Sequence, residues 1–250
     1  PNGVLNIIHG YGHKAGSAIV SHPEVKAITF TGGTKTGKDI ASVAGPMLKK
    51  ISLELGGKNP VIIFNDCKYD EMLETTVRSS FTNQGEICLC GSRIFAEKDI
   101  YEKFKTDFVK KVKALKTGDP LNADTDIGAI VSKQHYEKIL YYIDLALKDG
   151  GKILCGGNPV ELKGRCKSGW FIEPTVIEGL DHNCRANQEE IFGPVVTIMP
   201  FENEEEVLQK ANSTEYGLAS VIWTNDLSKA HRVSANIHSG IVWVNCWMVR

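Results

Sequence analysis

Short aliphatic and β-branched runs alternate along the chain with stretches in which apolar residues recur every three to four positions. Runs at residues 4–8, 25–30, 50–53 and 60–64 predict strands, and residues 16–21 and 36–43 between them predict helices. Strands crossed by helices in this order imply a parallel sheet, since parallel neighbours need a crossover connection. Asp70 stands where it can cap a helix reaching Phe81, and Ile100, Phe104, Phe108, Val112 and Leu115 repeat at helical spacing as one buried stripe. Ser132 precedes a third helix in which Tyr136, Ile139, Leu140, Ile143 and Leu147 share a face, and Gly150 and Gly151 supply its stop. Further strands are predicted at 152–155, 195–199, 218–223 and 241–245, and the Gly- and charge-rich stretch 156–169 reads as a surface loop.

Composition narrows the class without naming a function. The chain has 250 residues, 42% hydrophobic and 24% charged, enough apolar material for one large domain or two smaller ones, which excludes disordered and collagen-like readings. A net charge of -1 gives no electrostatic reason to expect nucleic acid or a membrane surface, so the expected partner is a small molecule. No apolar stretch approaches the ~20 residues that span a bilayer, and the chain reads as soluble. Seven cysteines without a Cys-x-x-Cys pair fit free thiols in a reducing, cytoplasmic compartment better than a zinc or redox site. The chain opens on Pro1 and Asn2 with no initiator Met and no targeting pattern, and is expected to be a piece of a longer protein.

Three segments carry candidate chemistry. Phe30-Thr31-Gly32-Gly33-Thr34-Lys35-Thr36-Gly37 leads from a strand into a helix, where bare N–H groups and the helix dipole can hold a phosphate; a plain tight turn has the same look. Glu54-Leu55-Gly56-Gly57-Lys58-Asn59-Pro60 puts a carboxylate at the end of an apolar strand, where desolvation would raise its pKa toward that of a general base; a capping or ion-paired Glu is the alternative. Asn83-Gln84-Gly85-Glu86-Ile87-Cys88-Leu89-Cys90-Gly91-Ser92-Arg93 delivers Cys88 into a turn, as a nucleophile if backbone dipoles or a cation favour its thiolate, or as a small core residue if not. No His or further Cys stands at ligand spacing from Cys88 and Cys90, so no metal is expected.

Together and in this order, with Glu189-Glu190-Ile191-Phe192-Gly193-Pro194 further on, these segments resemble the aldehyde dehydrogenase superfamily over the whole chain. The resemblance implies an α/β fold: residues 1–57 as the C-terminal part of a Rossmann-like dinucleotide-binding domain with a parallel sheet, and residues 58–250 as the α/β catalytic domain. It implies NAD as cofactor, with NADP not excluded, and oxidation of an aldehyde to the carboxylic acid through a thiohemiacetal and a thioester. Cys88 falls at the nucleophile position and Glu54 at that of the base activating the hydrolytic water. Glu190 falls where the nicotinamide ribose is bonded and Phe192 beside the nicotinamide. Phe30, Gly32 and Gly33 fall at the phosphate-proximal turn, with Gly33 replacing a common Ser and so removing a hydroxyl contact. Gly12 and Gly16 match the turn near the adenine pocket, and the Leu55 carbonyl the nicotinamide side.

The same resemblance puts the oxyanion-hole Asn and the adenosine contacts upstream of Pro1, implies a homodimer or homotetramer for the full-length protein, and leads us to expect no activity from residues 1–250 alone. The Ile87-Cys88-Leu89-Cys90 and Asn245-Cys246-Trp247 stretches look most like the branch acting on muconic-type semialdehydes. An acylating relative that hands its thioester to coenzyme A would typically lack Glu54. A non-catalytic relative would usually lose the nucleophile or the base, and a generic nucleotide-binding module would leave Cys88 and Glu190 without purpose.

Overall fold

A computed structural model describes residues 1–249. The chain forms two compact units, Pro1–Gly56 and Gly57–Arg250. In the smaller unit a π-helical turn at Gly12–Gly16 runs into α1 (Ser17–Ser21), followed by β1 (Ala27–Thr31), α2 (Thr34–Ala44) and β2 (Lys50–Glu54). The two strands pair in parallel, Ala27 opposite Lys50 and Thr31 opposite Glu54, with α2 as the crossover that parallel pairing demands. Their burial alternates with the strand period of two: Ile28, Phe30, Ile51 and Leu53 turn inward while Thr29 and Ser52 are exposed. Leu55 packs against α2 at Gly37, where an added Cβ would come within 2.4 Å of Leu55 Cδ2 and would have to push that side chain aside.

The strand expected at residues 4–8 does not form. Val4, Leu5, Ile7 and Ile8 are exposed and lie outside regular structure. β1 and β2 pair only with each other among the described residues, so a β-branched run here finds no ladder for its N–H and C=O groups, and side-chain preference alone does not hold a strand.

The larger unit contains β3 (Asn59–Ile63), α3 (Tyr69–Phe81), β4 (Gly91–Glu97), α4 (Lys98–Ala114), α5 (Lys133–Lys148), β5 (Lys152–Cys155), β6 (Pro159–Val160), β7 (Phe171–Ile172), β8 (Thr175–Glu178), α6 (Arg185–Gln188), β9 (Val195–Phe201), α7 (Glu204–Ala211), β10 (Ala219–Trp223), α8 (Leu227–Asn236) and β11 (Ile241–Val244). Seven strands form one sheet in the order β11-β10-β3-β4-β9-β8-β5. Its pairs are parallel except that of β5 with β8. Both neighbours of β3 are in place, the strand is buried along its whole length, and from Pro60 on it reads in sequence as an apolar run.

The pleat then sorts its side chains between two cores. Val61 and Ile63 join Phe104 and Phe108 of α4 on one face, while Ile62 joins Val207 of α7 and Val233 of α8 on the other. A fully buried Ile or Phe of this kind contributes about 1.5–3 kcal/mol relative to exposure, and α5 adds a third cluster through Ile139, Ile143 and Ala146.

Three local expectations change. Lys68, not Asp70, is the N-cap of α3, and Asp70 lies inside the first turn, where its charge suits the helix dipole. On α5 the buried stripe runs through Tyr142 and Ala146 and leaves Leu147 47% exposed. Within 156–169, Pro159 and Val160 form β6 and pair with β7. Ser132 does cap α5, its hydroxyl accepting from the His135 N–H at 3.2 Å. No helix among the described residues is long and apolar enough to cross a membrane.

Candidate active site

Because β3, β4 and β9 run parallel, the segments that lead into them arrive at the same end of the sheet. Those segments are Gly57–Lys58, the Asn83–Cys90 loop and the Glu189–Pro194 loop. They line a narrow cleft of about 20 Å³ that contains Lys58, Cys88, Glu190 and Phe192.

The loop that carries Cys88 begins with a left-handed turn. Asn83, Gln84 and Gly85 have φ of 51°, 56° and 71° in succession. Asn and Gly tolerate this region, but Gln pays about 1–2 kcal/mol there, and its side chain is correspondingly tied: Gln84 Oε1 accepts from Gly128 N–H at 3.1 Å and Nε2 donates to the Ala129 carbonyl at 3.2 Å. Gly85 is required twice over, since a Cβ there would also lie 2.3 Å from the Gly193 carbonyl oxygen. The two cleft loops therefore touch backbone to backbone.

Beyond the turn, the loop's carbonyls are held from below. Asn59, buried at the start of β3, donates from Nδ2 to the carbonyls of Cys88 at 2.7 Å and Cys90 at 2.9 Å, and its Oδ1 accepts from Ala219 N–H at 3.2 Å. Trp247 Nε1 donates to the Leu89 carbonyl at 3.0 Å. Cys88 itself is half-buried. Cys90 is buried, its Sγ donates to the Thr82 carbonyl, and burial pushes its thiol up to about 12. Of the two thiols, only Cys88 combines a place in the cleft with partial exposure.

We expect Asn59→Ala to destabilise the protein by about 1–3 kcal/mol, because it strands three buried backbone groups at once. Asn59→Asp should be worse, since it sets a carboxylate against two carbonyl oxygens. Thermal unfolding reads both, and an unchanged midpoint for either would show that the strap does not hold the loop.

Glu190 is fixed at both ends: its Oε1 accepts from the Gly57 N–H at 2.9 Å, and its carbonyl accepts from Lys138 Nζ at 2.9 Å. Phe192, two residues on, is half-buried with φ of 60°, strained for a non-glycine residue. Lys58 is 2% exposed. Burial, reinforced by the Arg93 charge and opposed by Glu190, brings its ammonium down to about 7. Arg93 spends its guanidinium on backbone, donating to the carbonyls of Lys58, Lys210 and Ala211 at 2.9, 3.0 and 2.8 Å. It closes the C-terminal end of α7 and anchors the chain just after Gly57.

In the smaller unit, Gly33 is the N-cap of α2 and supplies no side-chain cap. The first turn of that helix is left with free N–H groups, and the buried Thr34 hydroxyl lacks a hydrogen-bond partner. Both features suit a phosphate oxygen. Phe30 lies half-buried on β1 with its ring against Gly32, and the Gly32 N–H donates to the Glu54 carbonyl at 3.0 Å. Glu54 ends β2 on the exposed face of this two-stranded sheet, not desolvated as expected. Leu55 follows it against Gly37. Gly12 opens the π-turn, and Gly16 ends it as the N-cap of α1.

The motifs that contain Asn59 and Trp247 do not by themselves give either side chain a role. A signal existed for Asn59: a buried amide at the mouth of an all-apolar strand must find partners. Lys58 and Arg93 carried none, since burial of a cation cannot be read from its neighbours in the chain. No group of three or more His, Cys, Asp and Glu among the described residues is arranged to hold a metal.

The sequence and the fold match proteins of one class. The profile of the aldehyde dehydrogenase family matches residues 1–250, and the chain belongs to that family. It is 48% identical over 252 residues to 2-aminomuconic semialdehyde dehydrogenase of Danio rerio, covering 100% of this chain and 52% of that protein. It is 46% identical to 5-carboxymethyl-2-hydroxymuconate semialdehyde dehydrogenase of Escherichia coli, covering 100% of this chain and 53% of that protein. A crystal structure of a betaine aldehyde dehydrogenase double mutant from Staphylococcus aureus, solved in complex with NAD+, superimposes with a TM-score of 0.95 at 39% identity, covering 100% of this chain and 50% of that one. The chain thus spans about half the length of the curated relatives it matches.

Proposed function

We propose that the full-length protein oxidises an aldehyde to its carboxylic acid with NAD+, with Cys88 as nucleophile and Glu54 as general base. The observation that carries this is the cleft in which a half-buried Cys88, on a loop strapped by Asn59 and Trp247, stands with Glu190 and Phe192. The Cys88 thiolate adds to the aldehyde carbon, forming a C–S bond and a tetrahedral alkoxide. Bound NAD+ supplies a hydride acceptor: the carbon loses its hydrogen with the electron pair and becomes a thioester. Water then adds to that carbonyl as Glu54 takes its proton, the C–S bond breaks with the electrons returning to sulfur, and the acid leaves.

The chain's own residues would hold the cofactor in two places. The uncapped N-terminus of α2, with Gly33 and the unpartnered Thr34 hydroxyl, fits the pyrophosphate, alongside Phe30 and Gly32. Glu190, oriented by Gly57 and Lys138, fits the ribose hydroxyls, with Phe192 beside the nicotinamide and the Leu55 carbonyl on the nicotinamide side. Gly12 and Gly16 are assigned to the turn near the adenine. In this reading residues 1–57 belong to the dinucleotide-binding domain and residues 58–250 form the catalytic domain of a cytoplasmic homodimer or homotetramer.

The substrate we favour is a muconic-type semialdehyde, supported by the similarity to relatives named for such substrates. Assayed by NADH formation in the full-length protein, such semialdehydes should give a higher kcat/KM than simple aliphatic aldehydes. Equal efficiency for the two classes would sink the substrate assignment while leaving the chemistry standing.

A further inference from the structure

Glu86, two residues before Cys88, and His135, in the first turn of α5, meet at the backbone of Phe192. His135 Nε2 lies 2.5 Å from the Phe192 carbonyl oxygen and 3.5 Å from Glu86 Oε1. Both neighbours are acceptors, so this nitrogen carries a proton and donates whatever the charge of the ring. The imidazole also packs edge-on to the Phe192 ring, with centroids 5.9 Å apart.

The pair is largely enclosed. The His135 and Glu86 side chains are only 16% and 7% exposed. Glu86 Oε1 accepts from the Val131 N–H at 3.2 Å, and the Ser132 cap fixes the turn from which His135 projects. Burial pushes the Glu86 carboxyl above the usual carboxylate range. A buried carboxylate aimed at a histidine, which in turn grips the carbonyl of a left-handed Phe192, is more than a helix start requires.

We propose that Glu86 and His135 are positioning residues which, through the single Nε2–H donor, lock Phe192 in its left-handed conformation and in register with the Cys88 loop. The inference rests on the reading of the cleft given above, in which Phe192 flanks the nicotinamide. Removing the donor leaves the Phe192 carbonyl without its partner and frees the strained backbone to relax. The distance over which hydride moves is then poorly held, although neither side chain touches a reacting atom. A glutamine at position 135 restores a side-chain N–H with no ring and no charge.

The test compares the full-length wild-type protein with His135→Ala and His135→Gln in kcat, KM for NAD+, the isotope effect with aldehyde deuterated at the carbonyl carbon, and amide hydrogen exchange over residues 189–194. We expect His135→Ala to lower kcat by about 10- to 100-fold, with a larger isotope effect and faster exchange in that segment, and His135→Gln to recover most of each. If Ala and Gln are equally impaired with an unchanged isotope effect, or if neither differs from wild type, the proposal is overturned. Should the wild-type protein oxidise no aldehyde, the functional reading has failed instead, and exchange alone decides. Faster exchange in Ala but not in Gln keeps the positioning role, and unchanged exchange removes it.

Discussion

Cys88→Ser in the full-length protein is expected to lower NAD+ reduction by about 10⁴-fold or more, whereas Cys90→Ala retains most of it. Serine preserves the size of the side chain but not the acidity, so its alkoxide is far scarcer near neutral pH than a thiolate. Cys90 is no substitute: it is buried, bonded to the Thr82 carbonyl and pushed up to about 12, so almost none of it is thiolate near neutral pH. An alkylating reagent applied before assay should modify Cys88 first. Activity that survives Cys88→Ser but not Cys90→Ala would reverse the two assignments.

Glu54→Gln is expected to separate the two halves of the reaction. Acylation does not use the base, so a burst of NADH about equal to the enzyme concentration should appear at once. The steady state that follows should be slower by about 10²- to 10⁴-fold, the usual worth of general-base assistance. A collapse of the burst itself would mean that Glu54 acts before or during hydride removal and that the role given to it is wrong.

How far these residues could be read in advance follows from the range over which each is determined. The helices through Phe104 and Ile139 and the buried strand at 60–64 were legible because their apolar period is local and strong. The run at 4–8 misled because a strand is a property of two segments, and β-branched residues cannot report whether a partner exists. Glu54 is exposed at the end of β2, and an apolar strand does not by itself say whether its end is covered.

Within the cleft, Cys88 and Glu190 stood out by motif, but what holds them did not. Asn59 reaches carbonyls 29 and 31 positions away and an amide 160 positions away. Glu86 and His135 lie far apart in the chain and meet only in the fold, with His135 Nε2 3.5 Å from Glu86 Oε1. The left-handed run at Asn83, Gln84 and Gly85 was half visible, since Asn and Gly favour it, yet Gln84 hides it until its bonds to Gly128 and Ala129 are seen.

The most direct test of the central claim is to mix the full-length Glu54→Gln variant with NAD+ and a muconic-type semialdehyde, quench in acid during the burst, and determine the mass and site of any adduct. The mechanism predicts one acyl group per chain, with the mass of the acid less water, located by fragmentation spectra on Cys88 and absent when NAD+ is left out. NADH formed in the burst without any acyl-protein, or an acyl group carried by Cys90 instead, would contradict it.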